Sequence, residues 1–214
     1  MTVQAKICGL STTETVAAAV DGGAAAIGLN FYEPSPRSVT PAAAAELAKA
    51  TGSVDVVGLF VDPSDALIAT ILEHVALDVL QLHGAETPVR AAEIRQRFER
   101  PVMKAIKVAE PADLDAVAAY EDVADWLLFD AKAPKNMVGA LPGGNGVPFD
   151  WDLFQGRDWQ ANWMLSGGLT TENLAAAVTA TGAGWVDVSS GVETAPGEKS
   201  VARITAFMHQ VNRL

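Results

Sequence analysis

The chain is 214 residues long, half of them hydrophobic, with 15 Lys and Arg against 26 Asp and Glu and a formal net charge of −11. That length suits one large α/β domain or two small ones. The acidic balance argues against a nucleic-acid partner, whose phosphates demand a basic face. The one cysteine, Cys8, excludes an internal disulfide framework and suits a reducing cytoplasm. No charged-then-apolar leader precedes the first predicted strand, and no apolar run reaches the ~18 residues of a membrane span.

Short β-type runs recur along the chain, with helical runs between them. The pattern predicts strands over 4–8, 25–30, 54–61, 78–83, 102–107, 125–130, 162–166 and 185–189. Most are nearly continuous apolar runs, as parallel strands covered by helices on both sides would be. Helix-start chemistry fills the gaps. Ser11 with Glu14 reads as a capping box. Thr40-Pro41, Asp62-Pro63 and Thr87-Pro88 each put an N-cap residue before a proline, with Glu110-Pro111 a weaker variant. Helices are expected over 41–50, 63–75 and about 199–213. Eight strand–helix units in this length predict a single (β/α)8 TIM barrel spanning 1–214, with no linker suggesting a second domain. A doubly wound open sheet is the rival. It usually has fewer strands at this length and often a G-x-G-x-x-G loop after its first strand, which is missing here.

Two connections are long. Residues 30–40 carry two prolines and Arg37, and residues 131–150 carry Pro134, Pro142 and the run Gly143-Gly144-Asn145-Gly146. Both leave the C-terminal ends of strands, the face where barrel enzymes keep their active sites.

Polar residues end the otherwise apolar strands on that face: Cys8 on the first, His83 on the fourth, Asp130 on the sixth and Ser189 on the eighth. Alternation puts Lys6 on the face of Cys8, Gln81 with His83, and Asp187 with Ser189. Singly, each has a plain structural explanation. A lone cysteine is commonly a small buried hydrophobe, His83 can be a hydrogen-bonded core histidine, and Lys6 and Lys104 can be solvated or paired inside the barrel. A shared active site accounts for them jointly. Gly167-Gly168 follows the seventh strand and Ser190-Gly191 the eighth, the two turns where barrels commonly bind phosphate. Glycine allows close backbone approach, and a following helix start supplies N–H donors. Arg37 is placed to clamp a second anionic group such as a carboxylate. His74, His83 and His209 have no Cys partner at ligand spacing, so no zinc site is predicted.

Taken together, Lys6-Ile7-Cys8-Gly9, Ser35-Pro36-Arg37, Gln81-Leu82-His83-Gly84, Phe129-Asp130, Leu141-Pro142-Gly143-Gly144 and Asp187 through Glu193 resemble the motifs of the phosphoribosylanthranilate isomerase family, in that family's order and over nearly the whole chain. The resemblance implies a cofactor-independent, cytoplasmic barrel of tryptophan biosynthesis, monomer or homodimer. Its substrate would be a small phosphorylated molecule, rearranged from N-(5-phosphoribosyl)anthranilate to 1-(2-carboxyphenylamino)-1-deoxyribulose 5-phosphate. It implies Cys8 as general base, Asp130 as general acid and Arg37 facing the anthranilate carboxylate. His83 and Asp187 would contact substrate, and Gly167, Gly168, Ser189, Ser190 and Gly191 would grip phosphate. Asn145 and Ser200 depart from the family pattern, and the opening of the first helix, Ser11-Thr12-Thr13-Glu14, is looser than usual.

The chemistry sets two requirements. A free thiol is only a few per cent thiolate at neutral pH, so Cys8 wants a nearby cation, and Lys6 is the candidate. A carboxyl acting as acid needs its proton favoured by desolvation or by substrate charge. Three rivals stay open. A histidine-biosynthesis isomerase, or one serving both pathways, would carry Asp rather than Cys at the first strand end. A Schiff-base aldolase would use Lys104 or Lys6. A barrel that only binds sugar phosphates would lack the acid or the base.

Overall fold

The computed structural model describes residues 2–133, 143, 144, 150–157 and 159–214. Eight parallel strands close into a barrel: β1 Gln4–Cys8, β2 Ala26–Asn30, β3 Asp55–Phe60, β4 Val79–Leu82, β5 Val102–Val108, β6 Trp126–Ala131, β7 Asn162–Leu165 and β8 Trp185–Val188. The ring closes where Lys6 of β1 pairs with Asp187 of β8. Among the described residues six α-helices cover it: α1 Thr13–Asp21, α2 Pro41–Lys49, α3 Asp65–His74, α4 Pro88–Phe98, α5 Leu174–Thr181 and α6 Val201–Val211. None among the described residues is long and apolar enough to cross a membrane.

Strand alternation sorts the barrel interior into layers. Trp126 and Trp185 meet edge to face at the bottom, with ring centroids 5.0 Å apart. Ala26, Val57, Val79, Met103, Leu128 and Met164 fill the middle. One step further along the same faces come Gln81, Asp130, Ser166 and Asp187, all buried. The apolar middle seals the barrel from below, so the polar layer opens only toward the C-terminal ends of the strands. The larger core lies outside the ring, between strands and helices.

Several expectations need correction. Two of the eight helical positions are 3-10 segments, Pro111–Ala119 after β5 and Trp151–Phe154 after β6. The second stops within four residues, short of Gly156 at φ +69. The first helix is capped by Thr12, whose side chain accepts from the Thr15 N–H, not by a Ser11–Glu14 box. The third helix starts two residues beyond Asp62-Pro63, with Ser64 as its cap. Asp62 is engaged elsewhere: its carboxylate accepts from the Ala85 N–H at 2.7 Å, and its own N–H donates to Glu86. That tie bends Asp62 into left-handed backbone, φ +46, away from helix entry. The last helix begins at Val201, not Lys199, because Glu193–Ala195 and Glu198–Lys199 form an antiparallel hairpin. His83 and Ser189 each sit one residue past their strands.

Lys104 is paired, but not inside the barrel. Met103 and Ala105 face inward, so Lys104 points outward, where its ammonium donates to Glu86 at 2.7 Å, Gly84 O at 2.8 Å and Leu82 O at 3.3 Å. That knot ties down the backbone immediately around His83. Of the long loop 131–150, the Leu141-Pro142 motif and Asn145 lie outside the described residues.

Candidate active site

Cys8 ends β1 and points into the cavity at the barrel mouth. Its sulfur has room because β2 passes a glycine beside it. A Cβ on Gly28 would lie 2.7 Å from Cys8 Sγ and 3.2 Å from Lys6 Nζ. Lys6, one layer below, donates to Asp187 Oδ1 at 2.7 Å, and Ser166 Oγ donates to Asp187 Oδ2 at 2.9 Å. Burial works against the Lys6 charge, yet Asp187 and Cys8 outweigh it and its pKa is pushed up to about 12. The ammonium is therefore permanent near neutral pH. Burial pushes the Cys8 thiol up; Lys6 pulls it down, the charge of Asp187 adds to the rise, and Lys199 pulls down again. Lys6 is thus the expected cation, shared with a carboxylate. The thiol is more reluctant to ionise than a free one.

Asp130 sits next to last on β6 and lines the same cavity. Its Oδ2 is 3.0 Å from His83 Nε2, and its Oδ1 accepts from the Ala131 N–H at 3.0 Å. His83 Nδ1 in turn lies 2.8 Å from Gln81 Nε2. The loop after β6 packs onto this pair through Gly143, where a Cβ would run into His83 Nε2 and stand 2.9 Å from Asp130 Oδ2.

Arg37 is buried, unlike an ordinary loop arginine. The 30–40 loop holds itself together through Asn30, which accepts from the Tyr32 N–H and donates to Ser35 Oγ, while the Arg37 N–H donates to that same hydroxyl. The guanidinium grips Glu193 in a two-pronged pair, Nε to Oε1 at 2.7 Å and Nη2 to Oε2 at 2.8 Å, and Nη2 also donates to Gly144 O at 3.2 Å. Lys199 donates to Glu193 Oε1 at 2.6 Å and to Ser189 O and Oγ at 2.9 and 3.1 Å. Burial lowers the Lys199 pKa, with Glu193 partly offsetting it. Two buried cations thus share one carboxylate, leaving net positive charge beside the turns after β7 and β8. In a chain of net charge −11, that is a local anion device.

Those turns line the cavity through Gly167, Gly168, Ser189 and Ser190. Gly167 adopts φ +87 and sits so close to β6 that a Cβ would fall 2.6 Å from the Ala131 N. Asn173 braces the first turn, donating to Gly168 O at 2.9 Å and accepting from the Thr170 N–H at 2.8 Å. Gly191 is the exception among the expected residues. It packs against Leu169 O and lines an adjoining pocket with Gly168 and Ser190.

Cys8, Arg37, His83, Asp130 and Asp187 therefore come together at one cavity with four of the five phosphate candidates. Sequence reasoning missed Lys199 and gave Glu193 no role. The Pro196-Gly197 dipeptide signalled the hairpin that turns Lys199 inward. It also left Ser166 and Gly28 unremarked. Neither Lys6 nor Lys104 suits a Schiff base, since both are locked in buried ion pairs and neither lines the cavity. Among the described residues, no group of three or more His, Cys, Asp or Glu side chains is placed to hold a metal ion.

Fold and cavity define the class first: a (β/α)8 barrel whose polar cluster stands at the C-terminal strand ends, where barrel enzymes keep their active sites. Residues 5–210 match the family described as N-(5'phosphoribosyl)anthranilate (PRA) isomerase. The chain is 58% identical to the N-(5'-phosphoribosyl)anthranilate isomerase of Rhodospirillum centenum over 97% of each chain. It is 56% identical to that of Paracoccus denitrificans, covering 97% of this chain and 96% of the other. Its fold matches the crystal structure of phosphoribosyl anthranilate isomerase from Thermotoga maritima with a TM-score of 0.87 at 33% identity, covering 99% of this chain and 100% of that one. A structure of such an isomerase in complex with reduced 1-(o-carboxyphenylamino)-1-deoxyribulose 5-phosphate matches with a TM-score of 0.85 at 32% identity and the same coverage. The chain belongs to the N-(5'-phosphoribosyl)anthranilate isomerase family, and it is an isomerase.

Proposed function

We propose that this chain, acting as one catalytic barrel in the cytoplasm, rearranges N-(5-phosphoribosyl)anthranilate to 1-(2-carboxyphenylamino)-1-deoxyribulose 5-phosphate in tryptophan biosynthesis. The observation that carries the reading is that Cys8 and Asp130, from β1 and β6, line one cavity together with the turns after β7 and β8. Asp130 gives a proton to the ribose ring oxygen as the C1′–O bond breaks, and the anthranilate nitrogen becomes an iminium. Cys8, as thiolate, takes the C2′ proton, and its electron pair flows toward that nitrogen to give an enolamine. Ketonisation then releases the C2′ hydroxyl proton and adds one at C1′, completing the isomerisation with no net gain or loss of atoms. An acid and a base suffice for these steps, each contributing about 10²–10⁴-fold.

The phosphate rests against the turns of Gly167, Gly168, Ser189, Ser190 and Gly191. Arg37 meets the anthranilate carboxylate, and His83 and Asp187 contact substrate from the cavity wall. Family membership supports this substrate, since a relative of the same fold is in complex with the reduced product. Cys8 disfavours the histidine-pathway reading, which would place Asp at that strand end. The experiment offers purified protein both N-(5-phosphoribosyl)anthranilate and the histidine-pathway aminoaldose and measures kcat/KM for each. Turnover of the first is expected, and its absence overturns the assignment.

A further inference from the structure

Asp130 faces the cavity with Oδ1 accepting from the Ala131 N–H and Oδ2 lying 3.0 Å from His83 Nε2. A neutral imidazole that donates through Nε2 must accept through Nδ1. The group at Nδ1 is the amide nitrogen of Gln81, 2.8 Å away, which can only donate. The chain of bonds therefore runs one way, from Gln81 N–H to Nδ1 and from Nε2–H to the carboxylate. With the amide turned end for end, the imidazole proton would move to Nδ1. Nε2 would then be a bare acceptor facing Asp130, drawing the acid's proton toward His83 and away from the substrate it is to protonate.

Gln81 keeps this direction against an opposing cost. Its Oε1 is buried and has no hydrogen-bond partner among the described residues, and an unpaired buried carbonyl is unfavourable. Leucine or methionine would fill the same space with no orphaned atom. The side chain is 0% exposed and sits one layer below His83 on the inward face of β4. Gln81 also lines the cavity, and the hydrogen-bond partner its amide has among the described residues is His83.

We propose that Gln81 is a positioning residue for the general acid: its amide N–H holds His83 in the Nε2–H tautomer, and His83 thereby holds the Asp130 carboxyl in place. The inference rests on the acid role proposed for Asp130, but its first readout is independent of activity.

The chain has three histidines, His74, His83 and His209, so long-range ¹H–¹⁵N spectra of histidine-labelled protein resolve each ring. His74→Gln and His209→Gln variants assign them. In the native protein, His83 is expected to be neutral with its proton on Nε2. Gln81→Leu should show mixed tautomers and a kcat lower by on the order of tenfold or more, with KM held within about twofold. Gln81→Glu keeps the size and, once ionised in an alkaline pH series, offers Nδ1 only acceptors. It should move a proton to Nδ1 and fail to restore kcat, whereas a packing role alone would be rescued. A proton on Nδ1 rather than Nε2 in the native protein overturns the proposal, and so does an unchanged kcat in Gln81→Leu. If that variant does not fold, the native spectrum and Gln81→Glu decide. An Nε2–H tautomer in a protein inert toward N-(5-phosphoribosyl)anthranilate would leave the tautomer assignment standing and overturn the function instead.

Discussion

Lys6 Nζ stands 2.7 Å from Asp187 Oδ1, and the two residues are also backbone partners where β1 closes the barrel against β8. One ion pair thus sits at the seam of the fold and directly below the proposed base. Fold and chemistry both depend on it, and the two roles can be separated.

Lys6→Met leaves Asp187 buried without its counter-charge and should cost about 3–5 kcal/mol of stability. Replacing both partners, in Lys6→Met with Asp187→Leu, removes the orphaned charge and should recover most of that loss. Activity should not recover with it, because Cys8 has lost the ammonium that favours its thiolate and the substrate has lost Asp187. Urea denaturation and turnover measured on the same samples check this. A double variant with native activity would show that the thiol does not need Lys6.

Cys8→Ala and Asp130→Asn should each lower kcat by about 10²–10⁴-fold while circular dichroism and melting stay close to native. Full activity in either would remove that residue from the mechanism. The pH dependence has a definite sign. Burial holds the Cys8 thiol above its ordinary range, so the thiolate fraction in the free protein is small near neutrality and grows with alkalinity. If the thiolate is the base, kcat/KM should climb as pH rises past neutral into the ordinary thiol range. A profile flat over that range would contradict it.

Glu193 ties Arg37 and Lys199 together, and burial, which opposes its ionisation, is outweighed by those two partners, so its pKa lies below the usual carboxylate range. A folded-state pKa below the unfolded one means that the folded protein binds the proton less tightly. The stability this contributes is present above the ordinary glutamate value and is lost as pH falls through the depressed one. Glu193→Gln should therefore be less stable near neutral pH by about 3–5 kcal/mol, with two buried cations unbalanced. The gap should narrow as the pH drops below the ordinary glutamate range. Urea midpoints across a pH series measure it, and a gap independent of pH would refute the ion-pair account.

The barrel itself was legible in the sequence because its cause is local. Strand-length apolar runs, Thr40-Pro41 and Thr87-Pro88 helix starts, and polar residues recurring at strand ends are all written within a few neighbours. The same locality carried Cys8, Asp130 and the turns after β7 and β8, since alternation alone sets which face a strand residue takes. Where the reading slipped, a competing partner had intervened, sometimes far along the chain and sometimes near. Asp62 looked like a helix cap until Ala85 and Glu86, more than twenty residues away, claimed it. Lys199 looked like the start of a helix until the hairpin turned it toward Glu193 and Ser189.

Lys6-Ile7-Cys8-Gly9 and Gln81-Leu82-His83-Gly84 thus determined by themselves which side chains face the barrel mouth, because a strand's period of two depends on nothing beyond the strand. What those side chains meet was decided only by closure of the ring. Lys6 finds Asp187 across 181 positions, Arg37 finds Glu193 across 156, and His83 finds Asp130 across 47. No local rule encodes such pairings, since each exists only after the whole sheet has folded back on itself and excluded water from the space between the partners.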